Sequence, residues 1–322
     1  MTNKTIPIFF TIDNGYAPYL AVAITSLIKN ANPNYFYKIH VIYENVTEEN
    51  LAKIKRLSND YCEIICQEMP TKIEGLNKNA GTLLRADYFT LTIYFRIFLP
   101  KLFPQYDKAI YLDSDIVIPG DISEFYNTDL EGNLIGGVID SSVQDIPEIT
   151  HFFAEGVGVP ADHYINSGVL LMDFKKLREL KFDEKFLYLL NKYHIDCIAP
   201  DQDYINALCK DQIKYFPLKW NTMPNNISEE KADKPSLIHY NLFYKPWHYD
   251  VTYGNYFWQY AQETEFYELI KEIKNNYTEQ DKIADQEHLQ QLIESGKTFL
   301  NREYTFKKIF ESGLETRLVK EK

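Results

Sequence analysis

Runs of consecutive apolar residues alternate with amphipathic stretches along the first part of the chain. The apolar runs at 7–12, 39–43 and 61–66 predict strands, because runs without polar alternation are typical of strands buried on both faces. Between the first two, apolar residues recur at helical spacing, as at Leu20, Ile24 and Leu27. The order strand, helix, strand, helix, strand predicts an α/β fold with a mainly parallel central sheet flanked by helices.

The rest of the pattern predicts further elements of both kinds. Strands are expected at 109–112, 134–139, 169–172 and 236–238, and helices at 85–99, 182–193 and from 200 onward. The segments 69–81 and 145–160 lack periodicity and are expected to be surface loops. From about position 257 the sequence is charged and helix-prone, which predicts a catalytic domain over 1–256 and a helical C-terminal appendage over 257–322.

The best-defined chemical signal is Asp113-Ser114-Asp115, directly after an apolar run. In extended chain, side chains two positions apart point the same way, so Asp113 and Asp115 face one side. Ligands of open α/β sheets bind beyond the carboxyl ends of the strands, where this pair emerges. Converging carboxylates repel unless a cation lies between them, and a divalent cation holding a diphosphate meets that need. The alternative is an Asp-rich turn that caps the next helix.

Four further positions each allow a structural and a functional interpretation. Arg96 stands among aromatic residues. Its structural interpretation is a partner for a nearby acid, and its functional one is a cation beside the carboxylate pair. Asn166-Ser167-Gly168 lies at a strand mouth, as a turn only or as a polar lining for a sugar. Asp201-Gln202-Asp203 falls in the first turn of a helix, where the helix dipole favours acids without any function. His239 ends a strand, and a lone histidine is usually structural.

Composition narrows the functional classes. Hydrophobic residues make up 45% and charged residues 25% of the 322 positions, as in ordinary globular proteins. The net charge of -12 argues against nucleic acid as a partner, so an anionic ligand needs a metal or a few placed cations. Neither a signal peptide nor a membrane span is expected, and the four cysteines lack zinc spacing. We therefore expect a cytoplasmic protein with free thiols.

Taken in order from about position 6 to 247, these motifs resemble glycosyltransferase family 8, which includes bacterial lipopolysaccharide galactosyl- and glucosyltransferases and glycogenin-like enzymes. The resemblance implies a GT-A fold and a retaining, Mn²⁺-dependent enzyme, with Mg²⁺ as a weaker substitute. The implied reaction moves glucose, galactose or N-acetylglucosamine from a UDP-sugar to a glycan or glycoprotein acceptor in bacterial surface glycoconjugate synthesis. It also allows peripheral association with the inner face of the membrane, and the C-terminal helices allow an oligomer.

The resemblance also implies a role for each motif residue. The metal ligands correspond to Asp113, Asp115 and His239. The segment that holds uracil and ribose corresponds to Thr11, Ile12, Asp13 and Tyr16. Further nucleotide-sugar contacts correspond to Arg96, Ser114 and Asn166, and the diphosphate contact to Lys245. The catalytic set corresponds to Gln202 beneath the anomeric carbon, with Asp140 and Asp201 beside the donor sugar.

One position departs from the family pattern. Leu242 stands where the late motif H-x-x-G-x-x-K-P-W has glycine, which lets the backbone approach phosphate. A leucine there predicts a shifted loop, and it bears on the diphosphate contact of Lys245 more than on His239.

Retention requires either a covalent intermediate or attack from the face of the leaving group. Gln202 is an amide and a poor nucleophile, and Asp140 and Asp201 are the carboxylates left for a covalent route. We therefore expect front-face attack, with the leaving phosphate taking the proton of the acceptor.

Two other functions remain open at this point. A sugar nucleotidyltransferase would open with a Gly-rich loop after its first strand, where this chain has Asp13-Asn14-Gly15-Tyr16. A non-catalytic glycan-binding subunit would have less reason to retain Asp113, Asp115 and His239 together.

Overall fold

The computed structural model describes residues 4–70, 91–224 and 234–319. The strands in these ranges are β1 (Lys4–Asp13), β2 (Tyr35–Glu44), β3 (Cys62–Glu68), β4 (Lys108–Leu112), β5 (Ile116–Val117), β6 (Ile135–Ile139), β7 (Ile165–Asp173), β8 (Ile213–Tyr215) and β9 (Ile238–His239). The α-helices up to the last strand are α1 (Ala17–Asn30), α2 (Glu48–Lys55), α3 (Phe95–Leu102), α4 (Ile122–Asn127), α5 (Pro147–Phe152), α6 (Phe174–Glu179), α7 (Phe182–Tyr193) and α8 (Pro200–Leu208). Four more follow it: α9 (Gly254–Ala261), α10 (Tyr267–Asn276), α11 (Glu279–Phe299) and α12 (Phe306–Glu311).

A seven-stranded sheet in the order β3-β2-β1-β4-β7-β6-β8 forms the centre of the fold. Strands β3, β2, β1 and β4 are parallel to one another, and β6 is parallel to β8. Strand β7 runs antiparallel to both β4 and β6. A separate two-stranded ribbon pairs β5 with β9. The predicted α/β class with a mainly parallel sheet is confirmed.

Helices cover both faces of this sheet, which explains the uninterrupted apolar runs. In β1, Phe9 packs into one hydrophobic cluster with residues of α3, α6 and α7. Its neighbours Ile8 and Phe10 point the other way, into a second cluster with residues of α1. Successive side chains of a strand point to opposite faces, so only a strand buried on both faces is apolar at every position.

The structure differs from the sequence-based predictions in two places. The predicted loop at 145–160 is wrong, because it contains α5 and a π-helical turn over Phe153–Val157. Pro147 opens this short helix, and Ile149 and Phe152 are buried on its inner side. The strand predicted at 169–172 starts earlier, so that Asn166-Ser167-Gly168 lies within β7 rather than in a turn before it.

Two predictions fall wholly or partly outside the described residues. The loop expected at 69–81 is described only at its first two positions. Of the helix expected at 85–99, the described part is a 3₁₀ turn at Leu91–Tyr94 that leads into α3.

The C-terminal region is helical in its described part, as expected, and its helices pack onto both clusters. Phe257 and Ile270 are buried in the cluster that contains α1, whereas Phe299 and Phe306 are buried in the other. The predicted boundary between 256 and 257 falls within α9, and the division into a catalytic domain and an appendage stays a prediction. Among the described residues, no helix has both the length and the apolar character that crossing a bilayer requires.

Candidate functional site

A cleft of about 440 Å³ opens where β1 and β4 end and β7 begins. It is lined by every residue predicted for the site except Asp140 and His239. Asp140 lines a small adjoining cavity of about 20 Å³, together with Gln202. His239 is only 1% exposed and lies behind the two carboxylates of the Asp113-Ser114-Asp115 motif. The structure therefore brings the predicted positions together in and around one cleft.

The direction of β7 places the Asn166-Ser167-Gly168 segment beside the Asp113-Ser114-Asp115 motif. Leu112, the last residue of β4, pairs with Val169 in an antiparallel register. Residues that precede Val169 therefore lie beside residues that follow Leu112, and the Asp113 amide donates to the Gly168 carbonyl at 2.7 Å. Polar groups from two strands meet at this edge of the sheet because one strand ends where the other begins.

Asp113, Asp115 and His239 offer ligand atoms that lie within 4.8 Å of one another. His239 Nε2 is 3.2 Å from Asp115 Oδ1 and 3.9 Å from Asp113 Oδ2. This nitrogen is buried and has no hydrogen-bond partner among the described residues. An unsatisfied buried nitrogen beside two carboxylates fits a divalent cation, which carboxylate and imidazole ligands can hold.

Gly168 leaves the space in which these ligands converge. A Cβ atom at this position would lie 2.5 Å from Asp113 Oδ2 and 2.5 Å from His239 Cε1. Both distances are far shorter than real contacts of a Cβ atom, so any side chain would push the ligands apart. The glycine is required here by packing, since its φ is not among the positive ones.

Asp115 is ionised and paired from two sides. Its Oδ2 accepts a hydrogen bond of 2.5 Å from Lys245 Nζ, and His239 lies against its other oxygen. Burial works against ionisation of this carboxyl group, but Lys245 and His239 outweigh it and hold its pKa well below the usual range. Lys245, which the resemblance implied as a diphosphate contact, binds Asp115 in this structure.

The contacts of Arg96 agree with both of the interpretations given for it. Its guanidinium contacts Asp113 Oδ1 at 3.0 Å and Asp201 Oδ2 at 3.1 Å, and it donates to the Ser167 carbonyl at 2.7 Å. Burial favours the neutral form, yet the two carboxylates outweigh it and raise the pKa of Arg96. Arg96 is thus a partner for acids and also a neighbour of the carboxylate pair.

The side chain of Gln202 is held in one orientation at the floor of the cleft. Its Nε2 donates to Asp140 Oδ2 at 2.9 Å, and its Oε1 accepts from the Ser167 amide at 2.9 Å and from Asn166 Nδ2 at 3.1 Å. Asp201 is tied down as well, because its Oδ2 accepts from Ser167 Oγ at 2.7 Å besides contacting Arg96. The predicted catalytic residues thus form one hydrogen-bonded cluster.

Asp203, third in the Asp201-Gln202-Asp203 run, lies outside the cleft lining. It is fully buried and accepts hydrogen bonds from the Tyr164 hydroxyl and from the Ile198 amide, the latter at 2.9 Å. Burial raises its pKa to about 7, against the opposing effect of these donors. It closes the first turn of α8, so the structural interpretation holds for this residue.

Where β1 ends, a residue that sequence reasoning missed contacts two predicted ones. Tyr111 donates its hydroxyl hydrogen to Asp113 Oδ1 at 3.0 Å, so its oxygen accepts from Thr11 Oγ1 at 2.8 Å. Asp13 caps the turn at the end of β1 by accepting from the Tyr16 amide at 3.1 Å. Tyr111 lies within an apolar strand, and nothing in that pattern indicates a polar role.

Leu242 keeps the backbone conformation that suits a glycine. Its φ is 54°, in the left-handed region, and its amide donates to the side chain of Asn241 at 2.8 Å. The leucine side chain packs against the hydrophobic cluster that contains Phe9. The departure from the family pattern therefore changes the side chain at this turn while the backbone retains a left-handed residue.

The far wall of the cleft comes from the C-terminal region, which the motif analysis left without site residues. Asp285 and His288 on α11 line the cleft, together with Phe243 and His248. Asp285 accepts a hydrogen bond of 2.6 Å from the Tyr277 hydroxyl, and the Tyr277 ring stacks on His248 at 4.3 Å. A charged helix carries no local signal for such a position, because its register against the cleft depends on packing.

Comparison with known proteins identifies the class of enzyme. The profile described as "Glycosyl transferase family 8" matches residues 7–251. A putative glycosyltransferase of Haemophilus influenzae is 28% identical over 225 residues, which cover 70% of this chain and 65%, just under two thirds, of that protein. A lipopolysaccharide 1,2-glucosyltransferase of Escherichia coli K12 is 26% identical over 262 residues, covering 77% and 74% of the two chains.

A solved structure shows the same fold. The galactosyltransferase LgtC, in complex with donor and acceptor sugar analogues, superposes with a TM-score of 0.67 at 24% identity, covering 81% of this chain and 96% of that one. The architecture is accordingly the GT-A fold that the resemblance implied. The match over residues 7–251 spans most of the chain and includes the whole motif series. This chain belongs to glycosyltransferase family 8.

Proposed function

We propose that this glycosyltransferase moves a hexose from a UDP-sugar to a glycan or glycoprotein acceptor, with retention of configuration and with a divalent cation, preferably Mn²⁺. The observation that carries the proposal is the convergence of Asp113, Asp115 and the unsatisfied Nε2 of His239 on one side of the cleft. Gln202 lies on its floor and is hydrogen-bonded to Asp140 behind it. A cytoplasmic enzyme of bacterial surface glycoconjugate synthesis is the corresponding setting.

Asp113, Asp115 and His239 would hold the cation, which supplies charge neutralisation for a departing diphosphate. Two carboxylate oxygens and one imidazole nitrogen suit Mn²⁺ better than Ca²⁺, which prefers oxygen ligands only. Lys245 would add a second positive charge for the diphosphate by turning from Asp115, which it now contacts.

The uridine would lie where β1 ends. Thr11, Ile12, Asp13 and Tyr16 form this wall of the cleft. The capped turn from Asp13 to Tyr16 fixes the backbone there before a ligand arrives. A preformed turn lowers the entropy lost on binding, which supports a role in holding the nucleotide.

The arrangement around Gln202 supports front-face attack. The amide of Gln202 is a poor nucleophile, and its hydrogen bonds to Asp140 and Ser167 fix it as a dipole below the sugar. Asp201, the nearest alternative in the chain, is engaged by Arg96 and Ser167. The bond between the anomeric carbon and the phosphate oxygen breaks, the acceptor oxygen bonds to that carbon from the same face, and the acceptor proton passes to the leaving phosphate.

The acceptor would bind against α11. Asp285 is oriented by Tyr277, and a fixed carboxylate can accept hydrogen bonds from sugar hydroxyl groups. Phe243 and His288 lie on the same wall and offer ring faces to a pyranose. This supports a saccharide acceptor, and the C-terminal helices that carry the wall also offer a surface for peripheral membrane association or for an oligomer.

The relatives narrow the donor sugar. One is named a lipopolysaccharide 1,2-glucosyltransferase and another a galactosyltransferase, so UDP-glucose and UDP-galactose come first and UDP-N-acetylglucosamine third.

The test is a hydrolysis assay with these three UDP-sugars, with EDTA and then with added Mn²⁺ or Mg²⁺. We expect one donor to release UDP, no release in EDTA, and recovery that is better with Mn²⁺ than with Mg²⁺. A parallel incubation with UTP and sugar 1-phosphate should release no pyrophosphate. Pyrophosphate release would indicate a nucleotidyltransferase instead, and unchanged UDP release in EDTA would contradict the metal-dependent reaction.

A further inference from the structure

Asn221 lies fully buried beside the proposed metal ligands and belongs neither to the family motifs nor to the cleft lining. Backbone pairing places it there. The Thr222 amide donates to the Leu237 carbonyl at 3.0 Å, and the His239 amide donates to the Thr222 carbonyl at 2.8 Å. The chain at 221–222 therefore runs alongside β9, and Asn221 Oδ1 lies 3.0 Å from His239 Nδ1.

Which of the two atoms donates in this hydrogen bond follows from neighbouring groups that can only donate or only accept. The Gly168 amide can only donate, and its partner is Asn166 Oδ1 at 3.0 Å. The Asp140 carboxylate accepts, and its partner is Asn166 Nδ2 at 3.3 Å. These two contacts set the orientation of the Asn166 amide.

The orientation of the Asn166 amide fixes that of Asn221 and, through it, the atom of His239 that donates. Asn166 Oδ1 also accepts at 3.0 Å from Asn221, whose contacting atom is therefore Nδ2. The remaining atom, Asn221 Oδ1, faces His239 and can only accept, so His239 donates from Nδ1. Nε2 is the ring nitrogen that faces Asp113 and Asp115, and with a proton fixed on Nδ1 it is the nitrogen that can present a lone pair to a cation.

We propose that Asn221 is a positioning residue that fixes His239 as the Nδ1–H tautomer and so keeps Nε2 available as a ligand for the divalent cation. The inference rests on the proposed metal site. With the proton on Nε2 instead, His239 would donate to Asp115 and could not bind a metal. The same chain of amides reaches the sugar pocket, because Asn166 also donates to Gln202 Oε1. The proposed metal ligand His239 and Gln202 on the floor of the cleft are thus held by one connected set of hydrogen bonds.

The tautomer can be observed without metal, donor or turnover. Histidine-selective ¹⁵N labelling and long-range ¹H–¹⁵N spectra distinguish protonated from unprotonated ring nitrogens, and His239→Gln assigns the signals among the seven histidines. In the wild-type protein we expect a proton on Nδ1 of His239, where it meets Asn221 Oδ1. An unprotonated Nδ1 would overturn the proposal. This measurement does not depend on whether the protein transfers a hexose.

Variants test the role of Asn221 itself, by calorimetric titration with Mn²⁺ alone. Asn221→Leu removes the acceptor and should weaken Mn²⁺ binding by about 10–100-fold, as loss of a group that orients a metal ligand commonly does. Asn221→Asp keeps an acceptor oxygen for His239 but loses the donor to Asn166, so it should keep the proton on Nδ1 and lose less Mn²⁺ affinity than Asn221→Leu. Thr222→Val is the matched control, since it loses a buried hydroxyl bond to Leu218 without contacting the His239 ring.

Two outcomes would contradict the proposal. One is wild-type Mn²⁺ affinity in Asn221→Leu, with unchanged His239 signals. The other is equal loss in Thr222→Val and Asn221→Leu, which would indicate packing alone. Should Asn221→Leu fail to fold, Asn221→Asp and the wild-type spectrum still decide. Failure of the proposed hexosyl transfer would leave both readouts intact, whereas a protein that binds no Mn²⁺ would refute the metal site itself.

Discussion

Lys245 Nζ lies 2.5 Å from Asp115 Oδ2, and both side chains are largely buried, at 10% and 11% exposure. A positive charge thus already sits at the place where a divalent cation would be bound. Lys245 and the proposed cation would compete for one carboxylate, and a diphosphate that attracts Lys245 would release Asp115 to the cation. Metal binding and nucleotide binding would then be linked.

We therefore predict opposite effects of Lys245→Met on two ligands. Mn²⁺ alone should bind about 10-fold more tightly, because a nearby positive charge is gone and Asp115 is left without its partner. UDP at saturating Mn²⁺ should bind about 10-fold more weakly, because a cation near the diphosphate is lost. Calorimetry measures both. Lys29→Met removes an exposed ion pair with Glu263 and should change neither, and weaker binding of Mn²⁺ alone to Lys245→Met would contradict the competition.

The packing at Gly168 gives a second prediction. Gly168→Ala inserts a methyl group within 2.5 Å of Asp113 and His239, so Mn²⁺ affinity should fall by about 10–100-fold. Gly254→Ala is the control, because its nearest neighbours would be 3.5 Å away, an ordinary contact. Titration with Mn²⁺ and thermal unfolding of both variants check the prediction. Wild-type affinity in Gly168→Ala would show that the three side chains do not converge on a cation.

The product should be α-linked when the donor is an α-linked UDP-hexose, and proton NMR of fresh product gives the anomeric coupling directly. Gln202→Glu brings a carboxylate to within about 3 Å of Asp140 Oδ2, where Nε2 now lies at 2.9 Å. Repulsion should displace the new side chain and lower turnover by about 100-fold, the cost of losing one well-placed dipole. Intact-protein mass spectrometry should find no glycosyl-enzyme with this variant. A stable adduct would favour double displacement, and a β-linked product would refute retention.

Acid should destabilise the protein through His40. Burial, with a smaller effect of Lys38, lowers the pKa of His40 from 6.5 to about 4. Because the folded-state pKa is depressed, the contribution of neutral His40 is complete above about pH 6.5 and is lost as the pH falls toward 4. The full loss is about 3 kcal/mol by the usual conversion of pKa into free energy.

Urea unfolding at several pH values measures this dependence for wild type and His40→Gln, whose amide still reaches the Tyr106 hydroxyl that His40 Nε2 contacts at 2.9 Å. Relative to wild type, the variant should lose the contribution of His40 to the slope between pH 6.5 and 4, whereas the opposite contribution of Asp203, whose pKa is raised, is the same in both proteins. His163→Gln, at an exposed histidine, should keep the contribution of His40. An unchanged slope in His40→Gln would assign the acid sensitivity to other groups.

The wall formed by α11 should matter more for transfer than for hydrolysis. Asp285→Ala removes the carboxylate that Tyr277 orients, and we expect transfer to a saccharide acceptor to fall about 10-fold more than hydrolysis of the donor, the value of one hydrogen bond to a charged group. Glu287→Ala on the exposed side of the same helix is the matched control. Equal losses in transfer and hydrolysis would place Asp285 on the donor side instead.

Much of the sheet could be predicted because buried parallel strands carry consecutive apolar residues, as β1 does over residues 6–10 and β4 over residues 109–112. The direction of β7 could not, since its residues 165–173 read the same in either orientation. Helix α5 was missed for a different reason. Six residues are too few to show a helical period, and its burial depends on neighbours far along the chain.

The candidate site residues that could be predicted from the sequence are those whose spacing has a local cause, such as two carboxylates on one face of an extended chain. The ones missed depend on distant pairing. Asn221 meets Asn166 across 55 positions, and Tyr111 is polar only at the tip of a ring whose body fills the core. Asp203 shows the converse, because a motif-like acid proved to close a helix turn.

The left-handed conformation of Leu242 bears on the rate of product release as well as on ligand affinity. A non-glycine residue in this region costs about 1–2 kcal/mol, and here the leucine side chain offsets that cost by packing onto the core. A turn tethered in this way samples fewer conformations than a glycine turn would. Because loop opening often limits product release, the tether should lengthen the residence of UDP after each turnover. Leu242 would then slow the release of UDP through its packing on the hydrophobic core, without contacting the reacting groups.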